Sequence, residues 1–165
     1  MNMLKQKIES IFLDMDGVIC DFSKRYDELF GVHPKEAEAK NNFYPLFLEF
    51  IKTKQFESLD LMPGASSGVD FLRKCSVPTQ ILSSTVNDEL FDDIAKQKQI
   101  WLQKNAITFN PIFVPGKSKK KNYSTESRII IDDTPSVCLQ WREAGGIAIE
   151  HKDWNTTLTI LKMYV

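Results

Sequence analysis

The stretch Ile8-Glu9-Ser10-Ile11-Phe12-Leu13, running directly into Asp14-Met15-Asp16-Gly17, decides how the rest of the chain is read. A short apolar run rich in branched residues that ends abruptly in acids has the look of a strand buried on both faces. Working outward from it, residues 77–82, 107–114, 128–131 and 146–149 have the same character, which makes about five strands. Helical patterns lie between them. Ser66 or Ser67 can cap a helix carrying Val69, Phe71, Leu72 and Cys75, and Phe91, Ile94, Ala95, Trp101 and Leu102 mark a longer one over about 88–104. Thr134-Pro135 opens a helix with Val137, Cys138 and Trp141 that stops at Gly145-Gly146, and a last helix carries Trp154, Leu158 and Leu161. Strands alternating with helices predict right-handed crossovers and an α/β fold, a Rossmann-like parallel sheet with helices on both faces.

The first and second strands are more than sixty residues apart, more than one crossover helix needs. Within that gap Phe22, Tyr26, Leu29 and Phe30 follow one helical face, and Phe43, Phe47, Phe50 and Ile51 follow another. The reading is a small helical cap at 21–60 inserted into a core made of 1–20 and 61–165. Met62-Pro63-Gly64 is the turn back to the sheet. The insertion holds eight of the chain's eighteen aromatic residues, enough that some are expected to face a ligand.

Composition narrows the function. The chain has 165 residues, 42% hydrophobic and 26% charged, which suits one globular core. A formal charge of −1 gives no global field toward nucleic acid or membrane, so any anion site is local. No apolar run approaches the roughly 18 residues of a membrane span, and residues 1–10 alternate polar with apolar instead of building a signal-peptide core, so a cytoplasmic protein is expected. Cys20, Cys75 and Cys138 are widely spaced and read as small core residues, without a disulfide framework or a zinc motif. His33 and His151 have no clustered partner and read as structural.

Ligands of open parallel sheets bind beyond the carboxyl ends of the strands. There the sequence places Asp14 and Asp16, then Ser83-Ser84-Thr85, then Lys117, Lys119, Lys120 and Lys121, then Asp132-Asp133. If strand geometry continues, Asp14 and Asp16 share a side, with Met15 turned away and Gly17 bending the chain. So many carboxylates require a hard divalent cation, for which magnesium is the candidate, and magnesium favours a phosphoryl group as a further ligand. A Ser83 or Ser84 hydroxyl and one Lys would hold the remaining phosphoryl oxygens. Lys98 and Arg142 lie in helical patterns and read as surface residues.

Asp14-Met15-Asp16-Gly17-Val18 after a strand, Ser83 after the second, a downstream Lys and Ile131-Asp132-Asp133 resemble the four motifs of the haloacid dehalogenase (HAD) superfamily of phosphohydrolases. The resemblance runs through nearly the whole chain. It implies that Asp14 is the nucleophile and Asp16 the general acid and base. It also implies magnesium held by Asp14, the Asp16 carbonyl and Asp133, with Asp132 in support, and an insertion at the cap position. The stretches DMDGVICDF, LMPGA, ILSST and RIIIDD look more narrowly like the 5′(3′)-deoxyribonucleotidase branch, which implies a deoxynucleoside monophosphate as substrate. In that branch the position of Ser83 is commonly Thr, and either offers a hydroxyl. Counted back from Tyr123, Lys120 aligns with the family's phosphate-binding Lys, although the run leaves Lys117, Lys119 and Lys121 open.

Other functions compete. The same chemistry on a sugar phosphate or a nucleic-acid end differs only in what the cap accepts. A receiver-like phospho-acceptor domain also gathers acids, a hydroxyl and a Lys at strand ends, but it places paired acids early and has no insertion after the first strand. A binding module without turnover is not favoured when both Asp14 and Asp16 are present.

Overall fold

A computed structural model describes residues 6–165, so the reading of residues 1–10 lies partly outside the described residues. Five strands, β1 (Ser10–Leu13), β2 (Thr79–Ser84), β3 (Asn110–Val114), β4 (Arg128–Asp132) and β5 (Ile147–Glu150), form one sheet. All its pairs are parallel, in the order β3-β2-β1-β4-β5. β1 is therefore central, and the topology reverses between β1 and β4, the position at which ligands of open parallel sheets bind at the carboxyl ends. The strands run about two residues later than the apolar runs suggest at β2, so Ser83 and Ser84 are the strand's own last residues.

Side-chain alternation along β1 divides the core. Ile11 and Leu13 join a large cluster with Val69 and Leu72 of α4 (Ala65–Lys74), Ile94 and Trp101 of α5 (Phe91–Lys104), and Leu161 of α7 (Trp154–Leu161). Phe12 points the other way, against Val137 and Trp141 of α6 (Pro135–Glu143). Both faces are thus covered, as near-continuous apolar strands require.

Between β1 and β2 stand α1 (Phe22–Phe30), α2 (Pro34–Ala39), α3 (Phe43–Lys52) and a 3-10 turn at Gln55–Ser58. The short α2, capped by the His33 imidazole accepting from the Lys35 amide, was not legible as a helix in the sequence pattern. Asp21 N–H donates to the Asp60 carbonyl and Met62 N–H to the Ile19 carbonyl, so both ends of the insertion leave the core side by side. Its buried residues Tyr26, Phe47, Phe50 and Phe56 belong to the same large cluster as the sheet. Most of its rings are engaged with one another, as core residues would be. Phe22, Tyr26, Phe30, Phe43, Phe47, Phe50 and Phe56 pack on one another, which leaves Tyr44 as the exposed ring of the insertion.

Three local expectations are corrected. Ser66 and Ser67 lie inside α4, whose cap position is Gly64 at φ +77°. Thr134 occupies the cap of α6 without a side-chain capping bond; its hydroxyl instead meets Lys117 Nζ and Asp133 Oδ1, and its N–H donates to the Asp132 carboxylate. Cys75 is only half-buried, while Cys20 and Cys138 are buried, and all three are free thiols. Among the described residues no helix is long and apolar enough to cross a membrane.

Candidate active site

β1 ends at Leu13, and the next seven residues coil tightly around one acceptor: the Met15 carbonyl receives the N–H groups of Val18, Ile19 and Cys20. Gly17 turns this coil at φ +79°, a left-handed conformation that favours glycine. The backbone also passes so close to Asp133 that a β-carbon on Gly17 would lie 2.1 Å from its Oδ2. Strand geometry stops at this turn, so the Asp14 and Asp16 carboxylates take different hydrogen-bond partners, although Asp16 is still near enough to help raise Asp14. Each is directed to a different lysine.

Asp14 is buried and its Oδ1 accepts from Lys120 Nζ at 2.8 Å, while the same ammonium donates to Asp132 Oδ2 at 2.7 Å. Of the four lysines in the run, Lys120 is the one carried inside, by the 3-10 segment Lys117–Tyr123. Lys119 and Lys121 are exposed, and Lys117 reaches the Thr134 hydroxyl at 3.4 Å. Lys120 thus spends two of its three donors on carboxylates and keeps one.

Asp14, Asp132 and Asp133 each offer an oxygen within 4.8 Å of the others. Burial and then Asp132 push Asp14 up to about 8, an effect that Lys120 only partly offsets. Asp133 is also raised, by burial first and Asp132 next. Burial alone would lower Lys120, but Asp14 and Asp132 outweigh it and hold the ammonium charged. Three crowded carboxylates, with Lys120 bonded to two of them and Lys117 near the third, form an all-oxygen donor set that suits a hard divalent ion. The Asp16 carboxylate lies outside this group.

Asp16 instead accepts from Lys98 Nζ at 2.7 Å on Oδ2 and from the Cys20 thiol at 3.3 Å on Oδ1. Burial and the adjacent Asp16 hold the Cys20 thiol well above its ordinary value, so it stays a neutral donor. Lys98 also donates to Ser83 Oγ and to the Ser84 carbonyl, each at 2.9 Å. Reading Lys98 as a surface residue is therefore wrong: it is 1% exposed. The signal was present. Ile94, Gln97, Lys98, Trp101 and Leu102 are the buried residues of α5, and their spacing is the stripe of a core-facing helix. Arg142, by contrast, is exposed and donates to the Ala148 carbonyl.

The remaining hydroxyls separate by position. Ser83 is fully buried and accepts from Lys98, so its own hydrogen is free to be donated. The Ser84 hydroxyl is held in the local turn by the Val86 N–H at 3.2 Å. Thr85 is buried and tied to the Val114 carbonyl at 3.3 Å. The His151 backbone N–H donates to the Asp132 carbonyl at 2.8 Å, while its imidazole is hydrogen-bonded to the Thr157 hydroxyl at 2.7 Å.

The sequence matches no protein-family profile and none of the curated proteins. Solved structures do resemble the fold. A hydrolase from Streptococcus pneumoniae TIGR4 superposes with a TM-score of 0.57 at 14% identity, covering 94% of this chain and 99% of its own. A variant HAD-family enzyme from Bacteroides thetaiotaomicron, solved in complex with magnesium and inorganic phosphate, gives 0.53 at 14% identity, covering 91% and 98%. The HAD domain of an effector protein from Legionella pneumophila gives 0.51 at 14% identity, covering 96% of each chain. The architecture is that of the HAD-like α/β proteins.

Proposed function

We propose that this chain is a magnesium-dependent phosphatase that hydrolyses phosphomonoesters through an aspartyl-phosphate on Asp14. The observation that carries the reading is the state of that carboxylate: Oδ1 is pinned by Lys120, and the carboxylate belongs to a group of three acids that can share a cation. A bound magnesium ion, held by Asp14 and Asp133 with Asp132 alongside, would keep Asp14 ionised and offset the phosphoryl charge. The HAD-like fold and the order of motifs along the chain support the same chemistry.

The residues divide the work. Asp14 Oδ2 attacks phosphorus in line as the ester P–O bond breaks, and Asp16 delivers a proton to the departing alkoxide. Oδ1 is the oxygen for this transfer, because Oδ2 is committed to Lys98 whereas Oδ1 meets only a weak thiol donor. Asp16 then takes a proton from water, whose oxygen attacks phosphorus, releases inorganic phosphate and restores Asp14. The free donor of Lys120 and the Ser83 hydroxyl hold phosphoryl oxygens. The Ser84 hydroxyl accepts from the Val86 N–H and likewise keeps its own hydrogen, so it stays a second candidate for that role.

The substrate we infer is a deoxynucleoside monophosphate, as for a 5′(3′)-deoxyribonucleotidase. Its support is the run of DMDGVICDF, ILSST and RIIIDD at the three strand ends that meet here. The aromatic insertion adds little to it, since seven of its rings pack together. Phosphate release from nucleotides and sugar phosphates, with and without magnesium, tests both levels. Magnesium-dependent turnover of deoxynucleotides, lost in Asp14→Asn, is expected. Turnover of sugar phosphates alone would remove the nucleotidase reading and leave the chemistry. Full activity in Asp14→Asn would remove both.

A further inference from the structure

Two lysines meet the site, and their hydrogen bonds assign them different tasks. Lys120 has a donor to spare, whereas Lys98 has none: Asp16 Oδ2 at 2.7 Å, Ser83 Oγ at 2.9 Å and the Ser84 carbonyl at 2.9 Å use all three. An ammonium has no further capacity, so Lys98 cannot take a substrate oxygen without releasing one of these groups. Its partners are the side chain that follows β1 and two groups that end β2. It therefore fixes the distance between the proton-transfer carboxylate and a phosphate-facing hydroxyl.

Lys98 is itself seated from the insertion. Its ammonium lies 5.0 Å from the centroid of the Phe56 ring, which is stacked in turn on Phe22. Its neighbours on α5 bind the same segment through their side chains. Gln97 Nε2 donates to the Ile51 carbonyl at 2.8 Å, and Trp101 Nε1 to the Leu59 carbonyl at 2.7 Å. The insertion thus grips the helix face that presents Lys98, and the buried ring favours the cation at that spot.

We propose that Lys98 is a positioning residue for proton transfer, orienting the Asp16 carboxylate from a seat that Phe56 of the insertion supplies. The proposal rests on the reading of Asp16 as general acid and base. Its consequence is selective. A poor leaving group needs a well-placed proton, whereas a good one departs without it.

The test compares Lys98→Met, Phe56→Leu and Asp16→Asn with the unmodified protein on an alkyl phosphate and on p-nitrophenyl phosphate. Folding of each variant is checked by thermal unfolding. Lys98→Met is expected to lose about ten- to a hundredfold in kcat on the alkyl ester and less than about threefold on the nitrophenyl ester, with KM on both within about threefold. Phe56→Leu should show the same selectivity at a few-fold, and adding it to Lys98→Met should bring little further loss. Selective loss in Asp16→Asn but equal loss on both esters in Lys98→Met overturns the proposal and leaves the Asp16 reading standing. Equal loss in Asp16→Asn overturns both. If Lys98→Met does not fold, Phe56→Leu decides alone, and equal loss on the two esters in that variant overturns the proposal.

Discussion

Replacing Gly17 by Ala perturbs the site in two separable ways. The first is conformational: φ is +79°, where an L side chain costs about 1–2 kcal/mol. The second is steric and local. The new methyl would sit 2.1 Å from Asp133 Oδ2 and 2.7 Å from its Cγ, distances that no packing tolerates. The obstructing atoms are the far end of a short side chain, so the carboxylate swings aside more readily than the backbone moves. Stability should fall by the conformational cost, while the larger effect falls on the cation. Disturbing a group that orients a metal ligand typically lowers affinity ten- to a hundredfold, or about 1.4–2.7 kcal/mol. Activity measured against magnesium concentration should show a half-saturating value raised by that factor, with kcat largely recovered at high magnesium. Gly17→Asn separates the two causes, since Asn tolerates a left-handed φ better yet carries the same β-carbon. It should match Ala in magnesium dependence and lose less in melting temperature. Unchanged magnesium dependence in both variants would refute the placement of Asp133 at the cation.

Lys120→Met should leave Asp14 and Asp132 buried without their shared partner and destabilise the metal-free protein by about 3–5 kcal/mol in denaturant unfolding. A loss under 1 kcal/mol would mean that the pair is not buried as described. Burial lowers the His151 imidazole below its ordinary value, so the folded state binds its proton less readily than the unfolded chain. The associated stability is fully present above about pH 6.5 and is lost as pH falls below that, by at most about 1.4 kcal/mol per unit. Unfolding free energies at pH 7.5 and 5.5 should therefore diverge less in His151→Gln than in the unmodified protein, and an equal or larger divergence would contradict the assignment.

The fold was legible because β1 announces itself. An apolar run ending in Asp14-Met15-Asp16-Gly17 has few readings, and later strands separated by helical patterns leave little freedom in topology. The acids at the ends of β1 and β4 were legible for the same reason, since neighbouring parallel strands bring their ends together. Register and turns were less so. The sequence alternation suggested that Asp14 and Asp16 share a side, but the hydrogen bonds converging on the Met15 carbonyl turn the chain first. Lys98 reads as a surface residue by its charge, although it stands four residues after Ile94 and three before Trp101 on the buried face of α5. The insertion's aromatics were legible as two helical faces but not as a mutual cluster, because which rings meet depends on how the helices pack.

The most direct measurement is a crystal structure of the protein with magnesium and trifluoroberyllate, a mimic of an acyl phosphate. Density joining beryllium to the free oxygen of Asp14, with the cation bridging Asp14 and Asp133 and Lys120 on a fluorine, is the expected result. Trifluoroberyllate bound to another carboxylate, or a cation seated away from Asp133, would contradict it.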